Sequence, residues 1–203
     1  MDFRQSVRQR FQLAVKPLTS RAAAAGISTD GLRLAVLAGA ALVGLLLLTL
    51  PVILPGLHGV LFLLPGLLAT RAIALTTADQ LSEQASGRAA DPALREVTGA
   101  AGDVLLYLPL ALYPGVPAVP VVVLVVLGLL AEVAGLAPLT RGELRREDGP
   151  MNQGDRAIVF AIVGLILALD PGTAHWLPWL LLPAAALAAL TLVLRLRAAP
   201  IGG

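Results

Sequence analysis

Long apolar runs, separated by short turns rich in proline and glycine, constrain the fold of this chain more than any other feature. Hydrophobic residues make up 57% of its 203 residues and charged residues only 14%, whereas a soluble domain carries about 25% charged residues. An apolar run of about 20 residues is long enough to cross a bilayer as an α-helix. The sequence therefore predicts an all-α, polytopic membrane protein. Its six transmembrane helices are expected near Leu32–Leu54, Leu57–Leu75, Glu96–Tyr113, Val119–Leu136, Ala157–Leu169 and Trp176–Leu194.

The residues before the first apolar run form a segment of their own, 1–30, which precedes the membrane domain at 31–203. Apolar residues recur there at spacings of three and four, which predicts an amphipathic helix over residues 3–25 that ends at Gly26. Such a helix could lie in the membrane interface with its cations near anionic headgroups. It could also pack against the bundle and orient the first span, and the sequence leaves both alternatives open.

Basic residues are distributed unevenly among the connections between the spans. The turns between spans one and two, three and four, and five and six contain no Lys or Arg. All 15 Lys and Arg lie in or beside the two termini and the other two connections. The positive-inside rule then predicts a multi-pass protein of the cell membrane with both termini in the cytoplasm. Because the basic residues are not interleaved with aromatic ones, we expect no nucleic-acid partner.

The most polar segment between two apolar runs extends from Thr76 to Asp103, at the expected cytoplasmic ends of spans two and three. It finishes inside the third apolar run, at Asp103. A charged group at membrane depth costs at least ~2.5–3.5 kcal/mol on insertion scales. Asp103 therefore needs either a partner or a function, and a site at this position would meet soluble groups from the cytoplasm and lipids from the bilayer.

The layout of this segment resembles that of the CDP-alcohol phosphatidyltransferases, six-helix membrane enzymes of phospholipid synthesis. Their signature, D-x-x-D-G-x-x-A-R followed by G-x-x-x-D-x-x-x-D, bridges the second and third spans. Three further stretches are similar to family segments, and they read RFQLAVKPLTSRAAAAGISTDGLRLAVLAGA, GDVLLYLPLALY and RREDGPMNQGDRAIVF. The resemblance therefore covers most of the chain.

The resemblance implies a chemistry that depends on four aspartates. Family members transfer a phosphatidyl or similar group from a CDP-linked donor to an alcohol and release CMP. Their aspartates hold divalent metals, usually magnesium, against the pyrophosphate, and the last one is the proposed base. In this sequence the fourth aspartate falls on Asp103, the candidate catalytic residue, and the second falls on Asp79. These two residues are the candidate metal ligands, whereas the first and third positions fall on Thr76 and Gly99, which have no carboxylate.

The sequence departs from the family pattern at several further positions, and two of them bear directly on the expected site. The glycine that follows the second aspartate falls on Gln80, and the usual lysine of the basic loop falls on Gln153. The same loop contributes three candidate residues for binding a substrate phosphate or lipid headgroup, which are Arg145, Arg146 and Arg156. Membrane topology by itself also accounts for basic residues in a cytoplasmic loop, so both interpretations remain open.

The loss of two of four carboxylates weakens a site for hard cations. We therefore expect a catalytically degenerate subunit of phospholipid biosynthesis that acts with an active relative. A second hypothesis is an active transferase with magnesium or manganese at a rebuilt site, and a third is a non-enzymatic lipid-binding or scaffold protein without a cofactor. The expected partners are membrane lipids, including a CDP-linked lipid, and a family relative or a second copy in a hetero- or homo-oligomer.

The charged residues near the expected cytoplasmic face also have structural interpretations. Asp103 could be a helix-end carboxylate that pairs with Arg95 or Arg71. Asp79 could cap a polar turn. We expect an ion pair between Arg71 and Glu132, because both lie near the ends of apolar spans and a buried charge needs a partner. The alternative for Arg71 is a contact with a phosphate.

Overall fold

The structure, a computed structural model, describes residues 3–54, 56–86, 92–138 and 149–197. Within these ranges the ordered elements are helices, and none is a strand. The α-helices are α1 (Phe3–Ala24), α2 (Thr29–Ile53), α3 (Leu63–Ser86), α4 (Pro92–Tyr107), α5 (Ala118–Leu136), α6 (Gln153–Leu169) and α7 (Leu177–Arg197). Short 3-10 helices lie at His58–Phe62, Leu108–Leu112 and Pro171–Trp176.

The N-terminal helix α1 stops at the predicted glycine and packs on α3. Gly26 adopts a φ of +68°, which costs glycine little, and so ends the helix. Val15 and Thr19 are buried, and the Thr19 hydroxyl donates to the Gln80 side-chain oxygen at 2.6 Å. Other apolar residues of α1 are exposed, namely Val7, Phe11, Leu13 and Leu18. Packing against the bundle is therefore confirmed for one side of α1, while contact of the other side with a membrane stays a prediction.

Four helical segments of the described chain are long and apolar enough to cross a membrane. They are Thr29–Ile53, His58–Gln84, Ala118–Leu136 and Pro171–Arg197, which match the first, second, fourth and sixth expected spans. The prediction of an all-α chain with several membrane-length apolar helices is thus confirmed in its coarse form.

The helices at the third and fifth expected positions are shorter. α4 has 16 residues and α6 has 17, which corresponds to about 24–26 Å at 1.5 Å per residue, against ~30 Å of hydrocarbon. The 3-10 helix Leu108–Leu112 continues from α4 without a break. α6 begins at Gln153, in the polar residues before Ala157, because Asn152 and Asp155 form a capping box there.

The buried core contains side chains from each of the helices α2 to α7. Tyr107 of α4 stacks on Phe160 of α6 with the ring centroids 4.0 Å apart, and Leu64 and Leu110 are fully buried in the same cluster. α2 packs against α3 and α4, α3 packs against α6, and α5 packs against α7. This arrangement brings the polar end of α3, the polar beginning of α4 and the first turn of α6 together.

The backbones of α2 and α4 approach closely at Gly44. A Cβ atom added to this glycine would overlap the carbonyl oxygen of Leu105. Ala40, one turn earlier on α2, is fully buried. Small residues allow helix backbones to approach in a membrane bundle, and this contact holds α4 against the first span.

Gly44→Ala is expected to lower the free energy of unfolding by about 1–3 kcal/mol, because the added methyl group forces the two backbones apart. The matched control is Gly66→Ala on α3, where no atom lies within 4 Å of the added Cβ. That change should be neutral or stabilising by up to about 1 kcal/mol. Denaturant unfolding of the detergent-solubilised protein measures both, and equal effects would contradict the close contact between α2 and α4.

Candidate functional site: a buried arginine–carboxylate network

Asp103 lies on α4 with 2% of its surface exposed, and both of its carboxylate oxygens accept from arginines. Arg71 Nη1 donates to Oδ1 at 2.7 Å, and Arg156 Nη2 donates to Oδ2 at 3.1 Å. The Gln153 side-chain amide lies 3.3 Å from Oδ1. Arg71 Nη2 also donates to the carbonyl oxygen of Gly99 at 2.7 Å. The predicted catalytic carboxylate is therefore the centre of an ion-pair network, and Arg71 is the structural partner that the sequence suggested.

The network continues from Arg156 through Glu132 of α5. Glu132 Oε1 accepts from Arg156 Nη2 at 3.1 Å, and Oε2 accepts from Arg195 Nη1 of α7 at 3.3 Å. Arg195 Nη1 also donates to the carbonyl oxygen of Ala131 at 2.7 Å. These contacts connect α3, α4, α6, α5 and α7, so five helices meet through one set of buried charges.

The expected ion pair between Arg71 and Glu132 is wrong. Arg71 of α3 faces α4, where Asp103 and Gly99 lie one helical turn apart. Glu132 of α5 instead accepts from the arginines of α6 and α7. Each residue has the partner that a buried charge requires, but the partner comes from a neighbouring helix that the sequence did not identify.

Glycines make room for two of the buried guanidinium groups. A Cβ atom on Gly102 would lie 3.0 Å from Arg71 Nη2, and one on Gly128 would lie 2.7 Å from Arg156 Cδ. A long side chain can cross a close-packed interior only where neighbouring side chains leave space. The glycines on α4 and α5 are the sequence feature that could have indicated these two contacts.

Asp79 of α3, the second candidate metal ligand, is also paired with arginines. Arg33 Nη2 of α2 donates to Oδ1 at 2.7 Å, and Arg95 Nη2 of α4 lies 3.4 Å from Oδ2. Asp79 lies inside a continuous helix, so its interpretation as the cap of a polar turn is wrong. Sequence reasoning missed Arg33, although an arginine at the beginning of an apolar span needs a polar partner.

Side-chain amides lie at two of the positions where the sequence departs from the pattern that it resembles. A Cβ atom on Gly99, the third aspartate position, would lie 3.1 Å from Gln153 Nε2. Gln80, at the position of the family glycine, donates from Nε2 to the carbonyl oxygen of Gln12 at 2.9 Å and accepts from Thr19. Gln80 of α3 thus links α3 to α1 through hydrogen bonds to Thr19 and Gln12.

The structure describes one of the three candidate phosphate-binding arginines. Arg145 and Arg146 lie outside the described residues. Arg156 is 2% exposed and holds two carboxylates, those of Asp103 and Glu132. Its Nη1 has no hydrogen-bond partner among the residues that the structure describes.

The donor set around Asp79 and Asp103 does not fit a two-metal site. A hard cation needs several carboxylate or carbonyl oxygens whose lone pairs face it, and here the oxygens of both aspartates face guanidinium groups. In the part of the chain described, no group of three or more His, Asp or Glu side chains is close enough to hold a metal. Binding of magnesium or manganese would require the arginines to move.

Two openings have arginines of these clusters in their walls. A cavity of about 70 Å³, called the Arg33 cavity below, is lined by Arg33, Leu75, Asp79, Arg95, Glu96, Gly99 and Gln153. A wider, mainly apolar groove of about 230 Å³ runs between α2 and α3 and has Arg71 in its wall. The charged end of the bundle therefore offers a small polar site beside an apolar one.

Asp103→Asn is expected to lower the free energy of unfolding by about 3–5 kcal/mol, because Arg71 and Arg156 lose the carboxylate that they share. Asp30→Asn removes the same charge from the exposed first turn of α2 and should cost less than about 1 kcal/mol. Unfolding of the two variants in detergent measures the difference. A loss for Asp103→Asn no larger than that for Asp30→Asn would show that Asp103 is not the centre of a structural network.

Comparison with known proteins gives one distant similarity. No family model matches this chain. The chain is 28% identical over 155 residues to Inner membrane protein YnbA of Escherichia coli (strain K12), across 75% of this chain and 73% of that protein. Together with the four apolar helices, this similarity to an inner membrane protein is consistent with a membrane location for the chain.

Proposed function

We propose that this chain is a CDP-alcohol phosphatidyltransferase-like integral membrane protein of phospholipid biosynthesis that has lost independent catalysis and acts with an active relative. The basis is the resemblance of the segment from Thr76 to Asp103, and of the stretches GDVLLYLPLALY and RREDGPMNQGDRAIVF, to family segments. Under this proposal its ligands are membrane lipids, including a CDP-linked lipid. Its partner is an active relative in a hetero-oligomer, or a second copy in a homo-oligomer.

The main support for the loss of catalysis is that arginines contact both carboxylate oxygens of Asp103. A general base must accept a proton from the attacking hydroxyl, and a metal ligand must present its oxygens to a cation. Both Asp103 oxygens instead accept from buried guanidinium groups, at 2.7 Å from Arg71 and 3.1 Å from Arg156. In this position Asp103 supports the fold, and an alcohol or a metal would have to compete with the arginines for its oxygens.

The surroundings of the lost aspartates support the same proposal. Gln153 occupies the space beside Gly99, where the resemblance places a third carboxylate. Gln80 stands where a glycine would allow a nucleotide to approach, and it holds α1 instead. Neither position therefore has the carboxylate or the small residue that the resemblance implies there.

We propose six membrane spans with both termini in the cytoplasm. In addition to the four longer helices, α4 with Leu108–Leu112 and the helix α6 would serve as the third and fifth spans. The turns at 54–58, 113–117 and 170–176 contain no Lys or Arg, which favours their location on the outer side. The buried ion pairs of α4 and α6 would lie near the cytoplasmic face, where their polar first turns begin.

Purified protein is expected to release no CMP above background from CDP-diacylglycerol, with magnesium or manganese and a panel of alcohols. The physical reason is that arginines hold both candidate metal ligands. Asp103→Asn, with its folding verified by thermal unfolding, should give the same background rate. Turnover by the parent chain that Asp103→Asn abolishes would reject the proposal in favour of an active transferase with a rebuilt metal site.

The chain contains no cysteine, so single cysteines can report on its topology without removal of native thiols. Gly59→Cys, at an exposed position of the 3-10 helix His58–Phe62 that follows α2, should react with a membrane-impermeant maleimide in intact cells. Gln84→Cys, exposed near the end of α3, should react only after permeabilisation. The opposite labelling pattern would reverse the proposed orientation, and labelling of both sites in intact cells would exclude a span between them.

A further inference from the structure

The buried charges of the described chain are unequal in number. Four arginines are buried, namely Arg33, Arg71, Arg156 and Arg195, against two acids, Asp103 and Glu132. Asp79, which pairs with Arg33, is about one-third exposed. A buried charge that lacks full compensation costs several kcal/mol, and Arg33 is 1% exposed although the acid that it pairs with is partly exposed.

Three of these arginines, Arg33, Arg71 and Arg156, have buried N–H groups without an acceptor in the part of the chain that the structure describes. Within the described ranges, Arg33 Nε and Nη1, Arg71 Nε and Arg156 Nη1 are buried and have no hydrogen-bond partner. Buried donors in native proteins are nearly always paired with protein groups or ordered water. Arg33 has the most unpaired donors of the three, although it is only 1% exposed.

Arg33 lies in the wall of a cavity of the right size and chemistry for an acceptor. The Arg33 cavity measures about 70 Å³, whereas one water needs about 10–15 Å³ on this measure. It can therefore hold several waters or one tetrahedral anion. Besides Arg33, the donors in its wall are the Arg95 guanidinium and the Gln153 side-chain amide.

Two acids also line the cavity and set the limits of what can bind. Asp79 already accepts from both Arg33 and Arg95, and Glu96 lies in the same wall. A carboxylate in the wall disfavours an anion and favours a divalent cation, but the cation would compete directly with Arg33 Nη2 for Asp79. The remaining donors of Arg33 point to an oxyanion, because a guanidinium fork matches the oxygens of a phosphate.

We propose that the Arg33 cavity binds the phosphate group of a ligand through Arg33, without a divalent metal. This inference extends the proposed function to a particular site. The link between that site and phospholipid metabolism rests on the proposed function. The shared chemistry is a phosphate oxyanion held by a guanidinium, and its source is either a lipid headgroup or free phosphate from solution.

Isothermal titration of the full chain in detergent, with EDTA present throughout, tests the site. The probes are inorganic phosphate and, separately, phosphatidic acid in mixed micelles. Saturable binding in EDTA is expected for at least one probe. Binding of phosphatidic acid alone identifies a lipid headgroup as the source, and competition by inorganic phosphate identifies a site open to the free ion.

Two variants separate this site from a metal site and from surface charge. Arg33→Gln should weaken binding by about tenfold or more, because it removes a charged donor, whereas Arg197→Gln, the same change at an exposed position, should leave binding unchanged. Asp79→Asn should strengthen binding about fivefold, because it removes a repelling charge a few ångströms away. For a metal ligand, the Asp79→Asn change would weaken binding instead, so this variant decides even if Arg33→Gln fails to fold.

Several results would overturn the proposal. If neither probe binds to the folded parent chain, the cavity holds water and the proposal fails. It also fails if binding requires a divalent cation. Equal affinities of Arg33→Gln and Arg197→Gln, or weaker binding by Asp79→Asn, would contradict it as well. Release of CMP in the transferase assay would overturn the proposed loss of catalysis but not the phosphate site, since the two assays measure different properties. Failure of either claim is therefore recognisable on its own.

Discussion

Asp103, Arg71 and Arg156 form the contacts on which the meeting of α3, α4 and α6 depends. A charge removed from water is costly unless an opposite charge and good hydrogen bonds compensate it. Asp103 meets this requirement at 2.7 and 3.1 Å with arginines from two different helices, and Glu132 extends the contacts to α5 and α7. A shift of any one of these helices would separate a guanidinium from its carboxylate, and an unpaired buried charge costs several kcal/mol.

The same contacts give the proposed function its physical basis. The resemblance implies a fold in which acids at the ends of two spans hold metal ions. In this chain guanidinium groups stand against the remaining acids, Asp79 and Asp103. A guanidinium is a permanent cation that cannot be exchanged or removed, and so it can keep such acids buried without any metal. It also has more donors than one carboxylate can accept, which is why Arg33 keeps unpaired N–H groups beside a cavity.

Helix ends that depend on residues close together in the sequence were predictable to within a few residues. The end of α1 at Gly26 follows from the conformational freedom of glycine, and the start of α6 among polar residues follows from the shortness of its apolar run. The candidate site was predictable in part. Asp103 was identified as a residue that needs a partner, and Arg71 was one of the partners considered. The pairing of Arg71 with Glu132 was wrong, and Arg33 was missed, because both depend on which helices are neighbours.

Composition and hydrophobic periodicity by themselves determined that the chain is helical, where its long apolar segments lie and which charges interrupt them, since each property depends on residues close together in the sequence. Only the tertiary structure decided which acid meets which arginine. Asp103 and Arg156 are far apart in the chain, and their contact requires the Arg156 side chain of α6 to reach α4, with Gly128 of α5 leaving space for the arginine. The energy of a buried charge depends on the distance to its partner, and that distance is a property of helix packing.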